Sequence, residues 1–124
     1  MARILVIDDD PALRRTVRKI LERGGHEVEE AENGLTGLRV VEKGPPDLVV
    51  TDLVMPEKEG IETILELQER FPEVGVLAVS GAGGVDPTGP LMDAQLFGAH
   101  ATLSKPFEIQ ELLDAVERVL SRER

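Results

Sequence analysis

Side chains capable of chemistry recur at equivalent places along this 124-residue sequence, each just past a short apolar run. Asp8 and Asp9 follow Arg3-Ile-Leu-Val-Ile7, and Asp52 follows Leu48-Val-Val-Thr51. Ser80 follows Val74-Gly-Val-Leu-Ala-Val79, and Lys105 follows Ala101-Thr-Leu103 after one intervening residue. If those runs are strands of one open parallel sheet, the groups share a rim, because ligands of such sheets bind beyond the carboxyl ends of the strands. Carboxylates a few Å apart repel by several kcal/mol at an effective dielectric near ~20. Either some hold protons or a cation sits among them. Oxygen donors suit a hard divalent ion such as Mg2+, and no histidine or thiolate is placed to favour zinc. A cation there would also neutralise an arriving phosphoryl group. Asp52 would then be a nucleophile forming an acyl phosphate, with Lys105 and Ser80 holding the remaining phosphoryl oxygens.

Each residue has a plainer reading on its own: Asp52 and Ser80 as turn formers, Lys105 as a solvated charge, Asp9 or Asp10 as a helix cap. Convergence at four strand ends makes coincidence the weaker explanation. For Asp10, which precedes Pro11, capping is the better reading.

The elements that must position these residues are legible in the spacing. Leu13, Val17, Ile20 and Leu21 mark a first helix, ended by Gly24-Gly25. His26 to Ala31 alternates weakly and is mostly polar, as an edge strand should be. After the break at Asn33-Gly34, Leu35, Leu38 and Val41 mark a second helix, closed by Gly44-Pro45-Pro46. Beyond the Met55-Pro56 turn, Ile61, Ile64, Leu65 and Gln68 predict a third helix that Pro72 terminates. The Gly/Pro-rich stretch 81–90 predicts a loop, which leaves only Leu91 to Phe97 for a short fourth helix. The last helix has the clearest period: Ile109, Leu112, Leu113, Val116, Val119 and Leu120. Strands alternating with helices five times specify an α/β fold, a doubly wound five-stranded parallel sheet with helices on both faces. The second strand belongs at an edge.

Composition narrows the function classes. A chain of 124 residues fits one domain, and no output domain is expected within it. The net charge of -10 disfavours direct nucleic-acid binding. There are no cysteines, which removes disulfides and thiolate chemistry. No apolar run approaches the ~20 residues that span a bilayer, and no secretory signal is evident, so a cytoplasmic location is expected. His26 and His100 read as exposed turn or strand-end residues.

The motifs taken together resemble the receiver (response regulator) domain of two-component signalling over essentially the whole chain. The matching pieces are Val6-Ile-Asp-Asp9 with Pro11; Thr51-Asp52 with Met55-Pro56 and Gly60; Ser80-Gly81; and Gly98-Ala99 leading to Leu103-Ser-Lys105-Pro106-Phe107. The resemblance implies the flavodoxin-like receiver fold with strand order 2-1-3-4-5. It implies that Asp52 accepts a phosphoryl group from the phosphohistidine of a sensor histidine kinase or phosphotransfer protein. Asp8, Asp9 and Asp52, with the Val54 backbone carbonyl, would hold Mg2+. Ser80 and Lys105 would meet the phosphoryl group, and the Lys105–Pro106 peptide bond would be cis. The output surface would be the fourth helix, the fifth strand and the last helix, read by an unknown downstream protein. Such a domain catalyses only its own phosphorylation and dephosphorylation. Two departures bear on the switch. Thr102 stands where the family usually has an aromatic residue, so an aromatic rotamer swing cannot operate. The Ser80-to-Lys105 distance is also a few residues longer than usual, which points to ordering of residues 81–90 as the signal carrier.

Other classes fit less well. A Mg2+-dependent phosphohydrolase with an aspartyl nucleophile often carries a second aspartate two residues on, where this chain has Val54. Gly81-Ala-Gly-Gly lacks the third glycine of a dinucleotide loop and follows the wrong strand. A degenerate receiver acting as a binding scaffold is the remaining alternative; the intact Asp8, Asp9, Asp52, Ser80 and Lys105 set argues against it.

Overall fold

Side chains of a strand point alternately to its two faces, so a strand apolar at every position needs cover on both. Residues 4–7 and 48–50 are of this kind, and both faces are covered. The computed structural model describes residues 2–52, 59–80 and 98–122. In chain order its elements are β1 (Arg3–Ile7), α1 (Pro11–Arg23), β2 (Glu27–Ala31), α2 (Gly34–Lys43) and β3 (Leu48–Asp52). These are followed by α3 (Glu59–Arg70), β4 (Gly75–Ser80), β5 (Ala101–Ser104) and a final helix, here α4 (Ile109–Leu120). The five strands pair in parallel in the order β2-β1-β3-β4-β5. The predicted Met55-Pro56 turn, loop 81–90 and short helix 91–97 lie outside the described residues.

The period of two sorts the core into two layers. Ile4, Val6, Leu48, Val50, Leu77 and Val79 face Val17 and Leu21 of α1 and Leu112, Val116 and Val119 of α4. The intervening Leu5, Ile7, Val49, Val76 and Ala78 face Val41 of α2 and Ile64 and Leu67 of α3. Each buried Val, Leu or Ile among them contributes about 1.5–3 kcal/mol. A one-residue slip of any central strand would exchange the two layers, which fixes the register and with it the height at which each strand delivers its last residue.

Local signals set the helix ends near the site. Asp10 caps α1 by accepting from the N–H groups of Ala12 and Leu13, at 3.0 and 3.3 Å, with Pro11 at the first turn. Gly25 leaves α1 with φ +91, a backbone region side chains other than glycine rarely adopt. Asn33 does more than break the chain: it is the N-cap of α2 and accepts from Thr36 N–H at 2.8 Å. Gly98, with φ +113, leads into β5, where Gln68 of α3 leaves no room for a side chain. As expected, β2 lies at an edge of the sheet with Glu27 and Glu29 exposed.

One expectation fails. His26 is not an exposed turn residue. Its side chain is 7% exposed, and its Nδ1 accepts from Ala2 N–H at 3.2 Å.

Candidate functional site

Three strands bring the predicted residues to one rim. β3 ends on Asp52, β4 ends on Ser80, and Asp8 is the first residue after β1. Asp8 and Asp52 are each 5% exposed and Ser80 is 1% exposed, whereas Asp9 faces solvent. Parallel pairing aligns the strand ends: Ile7 lies opposite Thr51, Asp52 opposite Val79, and Ser80 opposite Ser104. Lys105 follows β5, and its N–H donates to the Ser80 carbonyl at 2.7 Å, so the strand ladder runs on to the lysine. The Lys105–Pro106 bond is cis, as the sequence resemblance implied.

The charges meet. Lys105 Nζ lies 3.1 Å from Asp52 Oδ2 and 3.6 Å from Asp8 Oδ2. Carboxylate oxygens of Asp8, Asp9 and Asp52 all lie within 4.8 Å of one another. Among the described residues, one ammonium therefore meets a cluster of three carboxylates. Asp8 registers the imbalance: burial pushes its carboxyl above the usual range, and the nearby Asp52 and Asp9 carboxylates push the same way. The Asp10 N–H, which donates to Asp8 Oδ1 at 2.9 Å, and the Lys105 ammonium oppose the shift without cancelling it. A residual negative charge lined by oxygen donors is what a hard divalent cation satisfies. Asp8, Asp9 and Asp52 thus fit a Mg2+ ion. Val54, whose backbone carbonyl was the fourth expected ligand, lies outside the described residues.

Thr102 sits within β5 opposite Ala78, partly exposed, between the rim and the strand's start. Asp10 does not join the acidic cluster; its carboxylate is taken by the helix N-terminus, as the sequence suggested.

Sequence reasoning missed two supports. Arg14, in the first turns of α1, donates from Nη1 to the Asp8 backbone carbonyl at 2.8 Å and from Nε to Glu30 Oε1 at 2.9 Å. Its position one turn past the Asp10 cap was the available signal. His100 was read as a strand-end residue. It is largely exposed, but its Nδ1 accepts from the buried Val76 N–H at 3.0 Å. No pattern of spacing signals an imidazole that completes a strand ladder.

Comparison with known proteins adds the family. Residues 4–117 match the response regulator receiver domain. The chain is 37% identical over 120 residues to the DNA-binding transcriptional regulator NtrC of Azospirillum brasilense, covering 97% of this chain and 24% of that protein. It is 35% identical over 120 residues to the response regulator MprA of a Mycobacterium species, covering 97% of this chain and 51% of that protein. The chain thus spans about a quarter and about half of the length of these two curated relatives. A crystal structure of a response regulator receiver domain protein from Clostridium thermocellum superposes with a TM-score of 0.89 at 31% identity, over 98% of this chain and 96% of that one.

Proposed function

The chain belongs to the response regulator receiver family, and we propose that Asp52 is its phosphoacceptor. A receiver domain serves phosphorylation-dependent signalling; it is a signalling domain rather than a conventional enzyme, and histidine kinases are the partners of such domains. In this chain the donor would be the phosphohistidine of a sensor histidine kinase or of a phosphotransfer protein. An Asp52 carboxylate oxygen forms a bond to phosphorus as the donor's P–N bond breaks, and the imidazole leaves. When bound by Asp8, Asp9, Asp52 and the Val54 carbonyl, Mg2+ supplies positive charge against the phosphoryl oxygens.

The chain's own residues do the rest. Burial of Asp52 and Asp8 excludes water from one side of the acyl phosphate. Lys105 exchanges its contact with the Asp52 carboxylate for one with a phosphoryl oxygen, which draws on the strand that carries it. Ser80, at the end of β4, offers a hydroxyl to the same group. With Thr102 in place of an aromatic residue, the signal travels without a ring swing, through a surface that includes β5 and α4, to a protein partner. Catalysis is confined to the domain's own phosphorylation and dephosphorylation. The net charge of -10 supports a protein rather than nucleic acid as the direct contact of this segment.

The observation that carries this reading is the meeting of three strand-end carboxylates within 4.8 Å with one ammonium 3.1 Å from Asp52. Incubation with acetyl phosphate and Mg2+, read by intact mass, tests it. The expected outcome is a single phosphate adduct that is absent in Asp52→Asn and absent when Mg2+ is chelated. No adduct in the unaltered chain would favour a binding scaffold instead, and phosphate release from unrelated monoesters would favour a hydrolase.

A further inference from the structure

β5 has four residues and lies at the edge of the sheet among the described strands, yet it carries Thr102 and delivers Lys105. A short edge strand has few ladder bonds to hold it, so its ends matter. At its far end the Lys105 N–H donates to the Ser80 carbonyl. At its near end, one residue before the regular ladder begins at Leu77 and Ala101, the His100 N–H donates to the Val76 carbonyl at 2.9 Å. The ring of the same residue then turns back, and its Nδ1 accepts from Val76 N–H. His100 therefore exchanges two hydrogen bonds with one residue of β4, and one of them runs through the imidazole.

That second bond requires a neutral ring with its proton on Nε2, because a protonated imidazole has no acceptor. Val76 is fully buried with the ring in place, so loss of the acceptor leaves its N–H without a protein partner on the β5 side until water reaches it. We propose that His100 is a clasp that holds the start of β5 on β4 only while its ring is neutral, so that acid loosens the strand that positions Lys105. His100 is a positioning residue in this scheme; it acts through β5. The effect on Lys105 rests on Asp52 being the phosphoacceptor, whereas the clasp itself does not.

The surroundings favour the neutral form near neutral pH. Burial, and then the Arg122 guanidinium, push the ring below the usual histidine range. Arg122, just beyond α4, is the charged group that faces His100 among the described residues; it is itself bound to the carbonyls of Glu73 and Val119. From α3, the neutral amide side chain of Gln68 packs at Gly98, two residues before the ring. The other histidine, His26, contacts Ala2 and Glu117 and leaves β5 untouched.

Two substitutions separate the clasp from ordinary strand packing. His100→Asn puts an amide oxygen near the position of Nδ1 but does not titrate. His100→Ala has no acceptor at any pH. The measurement is amide hydrogen exchange at Val76 by NMR between about pH 5 and 7.5, the range in which histidines titrate, expressed as protection relative to other β4 amides. Unaltered protein should lose Val76 protection roughly tenfold as His100 protonates, the scale expected when a buried donor loses its partner. His100→Asn should keep its protection across the range. His100→Ala should lack it throughout; if that variant does not fold, the contrast between Asn and the unaltered chain still decides.

Ring nitrogen shifts at neutral pH should report the Nε2–H tautomer. An Nδ1–H tautomer, or Val76 protection that stays flat through the His100 titration, would overturn the clasp. The rate of adduct formation with acetyl phosphate should fall on the acid side more steeply in the unaltered chain than in His100→Asn. Equal profiles, with Val76 protection still lost, would overturn the link to Lys105. Absence of adduct in every variant, with Val76 behaving as expected, would support the clasp and count against the Asp52 reading alone.

Discussion

Asp8 and Glu30 are carboxylates at neighbouring ends of paired strands, and the protein treats them in opposite ways. Glu30, on β2, receives Arg14 Nε at 2.9 Å and Arg18 Nη1 at 3.0 Å. Burial alone would raise its carboxyl, but the hydrogen bonds from Arg18 and Arg14 outweigh burial and hold it below the usual range. Asp8, just past β1, lies among Asp9, Asp52 and, among the described residues, a single shared ammonium, and its carboxyl is held above the usual range. Arg14 touches both regions but does not treat them alike: it gives its charge to the Glu30 carboxylate and only a backbone contact to Asp8. The contrast teaches where a ligand is expected. A carboxylate with two guanidiniums has nothing left to bind, whereas one left short of positive charge in a buried rim has a strong reason to.

The largest effect that tests this contrast is on cation binding. Asp8→Asn should weaken Mg2+ affinity by at least 10–100-fold, roughly the loss seen when even the outer partners of a metal site are removed. Glu30→Gln should leave it within about twofold, since a charge this far into its own ion pairs is screened from the rim. Isothermal titration of the three proteins with Mg2+ reads both. Equal losses from the two substitutions would erase the distinction between the regions.

Next is the dependence of stability on pH, for which the two signs are opposite. Asp8 has a folded pKa above its unfolded value near 3.8. Its contribution is fully present below that pH and is lost as pH rises through the raised folded value, so ionised Asp8 works against the fold at neutral pH without a cation. Glu30 has a folded pKa below its unfolded value near 4.5. Its contribution is present above that pH and is lost as pH falls through the lowered folded value. Asp8→Asn should therefore melt higher than the unaltered chain at pH 7 without Mg2+, by a few degrees, about 4 °C for each kcal/mol relieved. Glu30→Gln should melt lower at pH 7, with the deficit shrinking toward pH 3. Melting curves across pH with EDTA present check both. A lower melting temperature for Asp8→Asn at pH 7 would mean that Lys105 already satisfies the rim.

Much of this is legible in the sequence. The alternation of apolar runs with helical periods specified the sheet, and the polarity of residues 27–30 put β2 at an edge. The residues just past the runs specified the rim, because a parallel sheet brings all its strand ends to one side. What escaped the sequence was side-chain reach. Nothing in spacing says that Lys105 contacts both Asp52 and Asp8, since that depends on how a four-carbon stem lies across two strand ends. Nothing says that His26 turns inward to Ala2 N–H, or that His100 caps a ladder. Those contacts join residues far apart in sequence, 24 positions in each histidine's case. Arg14 was closer to legible, because a cation one turn into α1 necessarily lies near the end of β1.

The smallest effect distinguishes the two arginines that serve Glu30. Arg14 is 17% exposed at the side chain and joins the Asp8 carbonyl to Glu30, whereas Arg18 is 40% exposed and divides itself between Glu30 and Glu22. Exposed ion pairs contribute about 0.2–1 kcal/mol. A less exposed guanidinium that also satisfies a main-chain carbonyl should contribute more, about 1–2 kcal/mol, because its removal leaves that carbonyl and a carboxylate short of partners. Arg14→Ala should thus lower stability to urea by more than Arg18→Ala, and only the Arg14 change should also shift Mg2+ affinity, by about twofold, through the Asp8 backbone. Paired urea melts and Mg2+ titrations measure both. If the two alanine variants prove indistinguishable in both, Arg14 does not connect the satisfied carboxylate to the unsatisfied one, and the two regions are independent.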